Sequence, residues 1–200
     1  MNQMLKKTIA LMGIKHCGKS TQGKILAKKF GTVFFDTDDV ITEQTGKTPR
    51  QIYTEAGEEG FKAAEKNACQ LVAKRITESQ TPAVIATGGG ICNNSDALFE
   101  LHKVSTFVFL NSREAIAAKR ILSEVKTEED GSLSNMPAYI AKKNPHSLSE
   151  VRSIFHEFFE ERVRMYKGIA DFSVSMKNAT KSVNTNQIIS MLKGKGIIQD

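Results

Sequence analysis

No stretch of the chain approaches the roughly 20 consecutive apolar residues that span a bilayer, which excludes a transmembrane helix. Cysteine is scarce: Cys17, Cys69 and Cys92 are odd in number and none stands at C-x-x-C or C-x-x-H spacing. A disulfide framework and a zinc site are therefore not expected, and a reducing cytoplasm is the expected setting. Aromatic residues make up only 7%, and the net charge of +6 is interleaved along the chain, with no basic block. That pattern argues against nucleic acid as a partner and for a basic face that receives small anions. Internal repeats are absent too. The opening residues 1–16 resemble a leader only superficially, because their apolar run is short and leads directly into a glycine loop.

What is present fits one domain. Two hundred residues at 40% hydrophobic content bury a single core, so the expectation is one domain over 1–200. Short β-like runs at 8–12, 32–35, 83–86, 106–110 and 172–176 alternate with helical periods, which predicts an α/β fold with a mostly parallel sheet. One helix after Gly57 carries Phe61, Ala64, Ala68, Leu71, Val72 and Ile76 on a face; another over 148–166 carries Val151, Phe155, Phe158 and Tyr166. Between 124 and 148 the periodicity fails, and the segment reads as a mobile lid. The tail after Lys193 reads as frayed.

The first motif is GIKHCGKST, with G-x-x-x-x-G-K-S placed after a strand and before a helix. In such a P-loop, Gly13 and Gly18 let backbone N–H groups curl around phosphate oxygens, and the helix that follows adds its positive end. Lys19 is placed to reach the β- and γ-phosphates and Ser20 to put a hydroxyl on Mg²⁺. The whole segment, Gly13, Ile14, Lys15, His16, Cys17, Gly18, Lys19, Ser20 and Thr21, is the expected ATP-binding loop. Lys15 is either a second cation at the phosphates or a solvated one.

The acceptor half begins at FFDTDDVI. On extended backbone Asp36 and Asp38 point to the same side, where they can hold Mg²⁺ and meet a hydroxyl; the other reading is an Asp cluster capping the next helix. The run ATGGG places Gly88, Gly89 and Gly90 at the end of a strand, where a turn needs positive φ or a ligand comes close. Lys62 follows Glu58 by four residues, the spacing of an ordinary helix ion pair. Arg162 shares the apolar stripe of Phe155, Phe158 and Tyr166, and a desolvated guanidinium there needs an anionic partner.

Together GIKHCGKST, FFDTDDVI, TGKTPRQIYTEAGEEGFKAAE, ATGGG and ERVRMYKGIADFSV resemble, in order, the shikimate kinase family over residues 7–118 and 157–192. The resemblance implies a three-layer α/β/α P-loop fold with a five-stranded parallel sheet in the order 2-3-1-4-5. It also implies a lid, an acceptor region at about 36–65, and a monomer in the cytoplasm with neither membrane nor nucleic acid as partner. It implies transfer of the ATP γ-phosphate to the 3-hydroxyl of shikimate with Mg²⁺. Lys19 and Asp38 would be catalytic, and Ser20 and Asp36 would hold the metal. Asp38, Lys62, Gly88, Gly89, Gly90 and Arg162 would bind the acceptor, and Arg120 would lie against adenine.

Three positions depart from the family's pattern. Lys62 stands where the family has arginine after G-E-x-x-F, which loses a planar fork. The lid has Asn135-Met136-Pro137-Ala138-Tyr139 in place of R-P-L-L, leaving Lys142, Lys143 or Arg152 as substitute cations. His16 replaces a loop glycine. A kinase of another hydroxy acid such as gluconate, and a catalytically weak nucleotide-binding homologue, are the competing readings.

Overall fold

The computed structural model describes residues 4–199. In chain order the elements are β1 (Met4–Leu5), β2 (Ile9–Met12), α1 (Lys19–Phe30), β3 (Val33–Asp36), α2 (Thr37–Thr45) and α3 (Pro49–Ser79). There follow β4 (Ala83–Ala86), α4 (Ser95–His102), β5 (Thr106–Ser112), α5 (Glu114–Glu124), β6 (Lys126–Thr127) and β7 (Leu133–Ser134). The chain closes with α6 (Ala138–Ala141), α7 (Leu148–Ile169), β8 (Phe172–Met176), α8 (Lys181–Gly194) and β9 (Ile198–Gln199).

Five strands form the central parallel sheet in the order β3-β4-β2-β5-β8, which is the expected 2-3-1-4-5 arrangement. The inner strands β2 (IALM) and β4 (AVIA) are buried at every position, as continuous apolar runs must be when helices cover both faces. Helix α1 packs on β3 and β4 beside α8, and α7 packs on β5 beside α5. All five strands run the same way, so their C-terminal ends share one edge, where ligands bind in open α/β sheets.

Three expectations need correction. The tail is not frayed: α8 continues to Gly194, and β9 pairs antiparallel with β1 while Ile197 and Ile198 are buried. The 124–148 segment is not without a core face, because β6 and β7 form a small hairpin and Met136 and Ile140 are buried against the main core. Two buried residues were too few to produce a period. On α7 the buried stripe is Val151, Phe155, Phe159 and Tyr166, with Phe158 only partly buried.

Helix α3 starts at a capping box between Thr48 and Gln51 with Pro49 in its first turn. It breaks at Gly57, whose φ of 69° and ψ of −165° lie outside the helical region and suit only glycine. A Cβ at Gly57 would meet nothing within 4 Å, so the constraint is purely backbone. Gly57→Ala is expected to destabilise the protein by about 1–3 kcal/mol, read as a lower urea midpoint at unchanged m-value.

Candidate active site

The P-loop leaves β2 at Gly13 and enters α1 at Lys19. Gly13, His16 and Gly18 all have positive φ, of 144°, 65° and 101°. His16 thus occupies a left-handed position that glycine adopts without cost, where another residue carries strain of roughly 1 kcal/mol. Its carbonyl accepts from Arg120 Nη1, and its Nε2 lies 3.1 Å from Glu124 Oε2. Burial lowers the His16 pKa against the opposing pull of Glu124. Lys15 reaches the same Glu124 oxygen at 3.4 Å. Lys19 is 8% exposed, and its Nζ donates to the carbonyls of Gly13 at 2.8 Å and Ile14 at 2.9 Å. Those weak acceptors hold the ammonium on the loop, ready to exchange them for phosphate oxygens.

At the next strand, the readings of Asp36 as cap and as site residue prove compatible, but by a different route from the extended one. Asp36 is the last residue of β3 and caps α2, accepting from the Asp38 N–H at 3.1 Å. Asp38 is already helical, so the two carboxylates come together through the strand-to-helix turn. The Asp38 carboxyl is pushed up to about 6, first by burial and then by Asp36, with Lys19 opposing. Ser20, exposed in the first turn of α1, and Asp36 offer hard oxygen donors. Such donors suit Mg²⁺, which is held by one or two carboxylates together with substrate phosphates. Among the described residues no group of three or more His, Cys, Asp or Glu forms a metal cage of its own.

The glycine run joins these parts. None of Gly88, Gly89 and Gly90 has positive φ, so the turn does not explain them. Close approach explains two of them. A Cβ on Gly88 would lie 2.8 Å from Glu65 Oε1 and 3.2 Å from Asp38 Oδ1, and one on Gly89 would lie 2.9 Å from the Lys15 backbone nitrogen. At Gly90 a Cβ would meet Arg162 Nη2 at an ordinary 3.7 Å. The Gly88 N–H donates to Thr37 Oγ1 at 3.0 Å, fixing the turn to the start of α2.

Arg162 points into this turn, as its place on the α7 stripe predicts. Its Nη1 donates to the Gly89 carbonyl at 3.3 Å, and its Nε is buried without a partner. The guanidinium carbon lies 4.4 Å from the Tyr139 ring centroid and 5.6 Å from that of Phe158. Lys62 does form the ordinary helix pair, at 3.2 Å from Glu58 and 3.7 Å from Glu59. Lys142 shares Glu58 at 3.1 Å, and Arg152 is tied to Glu114 on α5. The lid is fastened to α3 as well: Arg50 donates to Asn135 Oδ1 at 3.0 Å and to the Met136 carbonyl at 2.9 Å. Asn135 Nδ2 donates in turn to the Glu124 carbonyl at 2.8 Å.

Sequence reasoning missed Glu65. It is 1% exposed, accepts from Asn94 Nδ2 at 2.9 Å through Oε2, and leaves Oε1 without a partner beside Gly88. Burial pushes its carboxyl up to about 7, with Asp38 adding to the rise. The signal was available: Glu65 lies on the stripe of Phe61, Ala68 and Val72, the same argument that singled out Arg162.

The sequence profile of the family described as "Shikimate kinase" matches residues 15–193. The chain belongs to the shikimate kinase family. A shikimate kinase of Vibrio parahaemolyticus is 31% identical over 189 residues, covering 94% of this chain and 97% of its own. Shikimate kinase 1 of Escherichia coli is 30% identical over 190 residues, at 94% and 97% coverage. The fold is that of the Acinetobacter baumannii shikimate kinase solved in complex with shikimate, at a TM-score of 0.75, 22% identity and 94% coverage of each chain. The Aquifex aeolicus shikimate kinase superposes at 0.68, with 25% identity and 95% and 98% coverage. As a family member the chain is an ATP-dependent phosphotransferase. Among the described residues no helix is long and apolar enough to cross a membrane.

Two outcomes are expected. The raised Glu65 carboxyl favours the neutral form, so its contribution to stability is fully present below the unfolded value near 4.5 and is lost as pH rises through about 7. Glu65→Gln is therefore expected to gain stability over the wild type by up to about 3 kcal/mol at pH 8, and by little at pH 4.5, in paired urea melts. Gly89→Ala pushes on the Lys15 backbone and is expected to weaken ATP binding about tenfold, read by calorimetry.

Proposed function

We propose that this shikimate kinase family member transfers the γ-phosphate of ATP to the 3-hydroxyl of shikimate. The observation that carries the reading is the convergence at Gly88 and Gly89. The phosphate-binding loop packs on one side, the Asp38 and Glu65 carboxylates on the other, and the Arg162 guanidinium, which has no carboxylate partner among the described residues, closes the site. A P-loop supplies the donor. A partly buried carboxylate of near-neutral pKa supplies a group for a hydroxyl, and a cation with an unmet hydrogen-bonding edge supplies a grip for a carboxylate.

On ATP binding, Lys19 leaves the Gly13 and Ile14 carbonyls for the phosphates, where a charge-assisted contact is stronger than a neutral one. Ser20 and Asp36 would hold Mg²⁺, which when bound would supply positive charge to the phosphate oxygens. Asp38 accepts a hydrogen bond from the 3-hydroxyl, orients it and takes its proton. Burial and the neighbouring Asp36 raise the Asp38 carboxyl toward the range of an effective base near neutrality. Arg162 pairs with the acceptor carboxylate. Lys62 adds a longer-range positive field while it remains with Glu58 and Glu59. Arg120 lies beside the loop at the His16 carbonyl, on the nucleotide side.

The missing lid arginine and the Lys62 substitution favour testing other hydroxy acids. ADP release from Mg²⁺-ATP, followed in a coupled assay, is expected to depend strongly on shikimate and weakly on gluconate or quinate. Release no faster with shikimate than without acceptor, from protein shown to bind ATP, would sink the assignment. The free-enzyme Asp38 carboxyl near 6 predicts that kcat/KM falls as pH drops below about 6. Asp38→Asn is expected to lose about 10²-fold or more in kcat and to abolish that acid limb.

A further inference from the structure

The lid and the acceptor grip meet at one residue. Tyr139 belongs to α6, the short helix of the lid, and the Arg162 guanidinium carbon lies over its ring, 4.4 Å from the centroid. Tyr139 also packs on Phe158 at 4.5 Å between centroids, and burial pushes its hydroxyl up to about 12, so the ring faces protein more than solvent. Ile140, next in the helix, is fully buried and fixes α6 in place.

Arg162 has few directions left for a ligand. The Tyr139 ring lies against the group, Phe158 flanks it at 5.6 Å, and Nη1 is taken by the Gly89 carbonyl. Glu65 lies within electrostatic reach, but Arg162 makes no ion pair with it, and the unmet oxygen of Glu65 faces Gly88. The buried Nε has no partner. What remains is the in-plane edge formed by Nε and Nη2, and a planar carboxylate fills such an edge with two parallel hydrogen bonds.

We propose that Tyr139 is a positioning residue that holds the free edge of Arg162 for a carboxylate in the acceptor, and so sets specificity for carboxylate-bearing acceptors. With the ring in place Arg162 is shielded from water, which strengthens its pairing with an anion in the edge. An acceptor without that charge leaves the edge unsatisfied, which is costly. The proposal rests on the acceptor reading above.

The test measures binding of shikimate and of its methyl ester, which lacks the charge, by calorimetry with a non-hydrolysable ATP analogue and Mg²⁺ present. Wild type, Tyr139→Phe and Tyr139→Leu are compared after thermal melts confirm folding; leucine keeps apolar bulk without the aromatic face. Tyr139→Leu is expected to weaken shikimate binding about tenfold, leave the ester and the nucleotide analogue within about twofold, and so shrink acid-over-ester discrimination. Tyr139→Phe is expected to keep it. Equal weakening of acid and ester, unchanged shikimate binding in Tyr139→Leu, or loss of discrimination in Tyr139→Phe would each overturn the proposal. Wild-type protein that binds the nucleotide analogue but not shikimate overturns the acceptor reading itself, and this proposal with it.

Discussion

The absence of room for a side chain at Gly88 and Gly89 is the constraint on which the rest of the site depends. Two positions without a Cβ allow the P-loop backbone and the carboxylates of Asp38 and the buried Glu65 to press on opposite sides of one turn. Any larger residue would separate donor from acceptor by part of an ångström or more. Phosphoryl transfer draws most of its catalysis from position and electrostatics, so such spacing matters more than any single side chain. The turn is held by ordinary means, a hydrogen bond from the Gly88 N–H to Thr37 and continuation of the β4 pairing from the Thr87 N–H to Leu11.

Around that turn the charges are arranged to be incomplete without ligands. Burial keeps Asp38 and Glu65 from ionising readily, helped by Asp36 at Asp38 and by Asp38 at Glu65. Lys19 makes do with backbone carbonyls, and Arg162 with one carbonyl and aromatic faces. Lys15 and His16 lean on Glu124, whose backbone carbonyl holds Asn135, which holds Arg50 on α3. Nucleotide loop, lid and acceptor helix are therefore linked by short polar contacts, two of whose members, His16 and Asn135, depart from the family's usual pattern.

The strands were legible because buried parallel strands write themselves as continuous apolar runs, and IALM and AVIA are unambiguous; their order came only from the family resemblance. The P-loop was legible because its glycines and lysine sit at fixed spacing. Asp38, Arg162 and the glycine run were found as oddities in their local context. Glu65 was missed because a charged residue in a helix reads by default as a solvated face, although its place on the apolar stripe of Phe61, Ala68 and Val72 marked it for burial. The lid's Met136 and Ile140 were missed because two anchors make no period. The β1–β9 pairing joins residues at opposite ends of the chain, which no window of sequence can reveal.

The break at Gly57 divides α3 into two pieces that answer to different parts of the molecule. The piece before it carries Arg50 and Tyr53, which touch the lid; the piece after it meets the lid only at its start, through Glu58 and Lys142, and carries Glu65, which faces the glycine turn, and the buried Ala68, Val72 and Ile76. A continuous helix would transmit any rotation of one piece to the other in full. A glycine joint relaxes that demand, so substitutions that retune how the lid seats can accumulate in the first piece while the carboxylate in the second keeps its place. The joint makes the lid contacts a region of evolutionary latitude bordering one of almost none, in a single helix of one small enzyme.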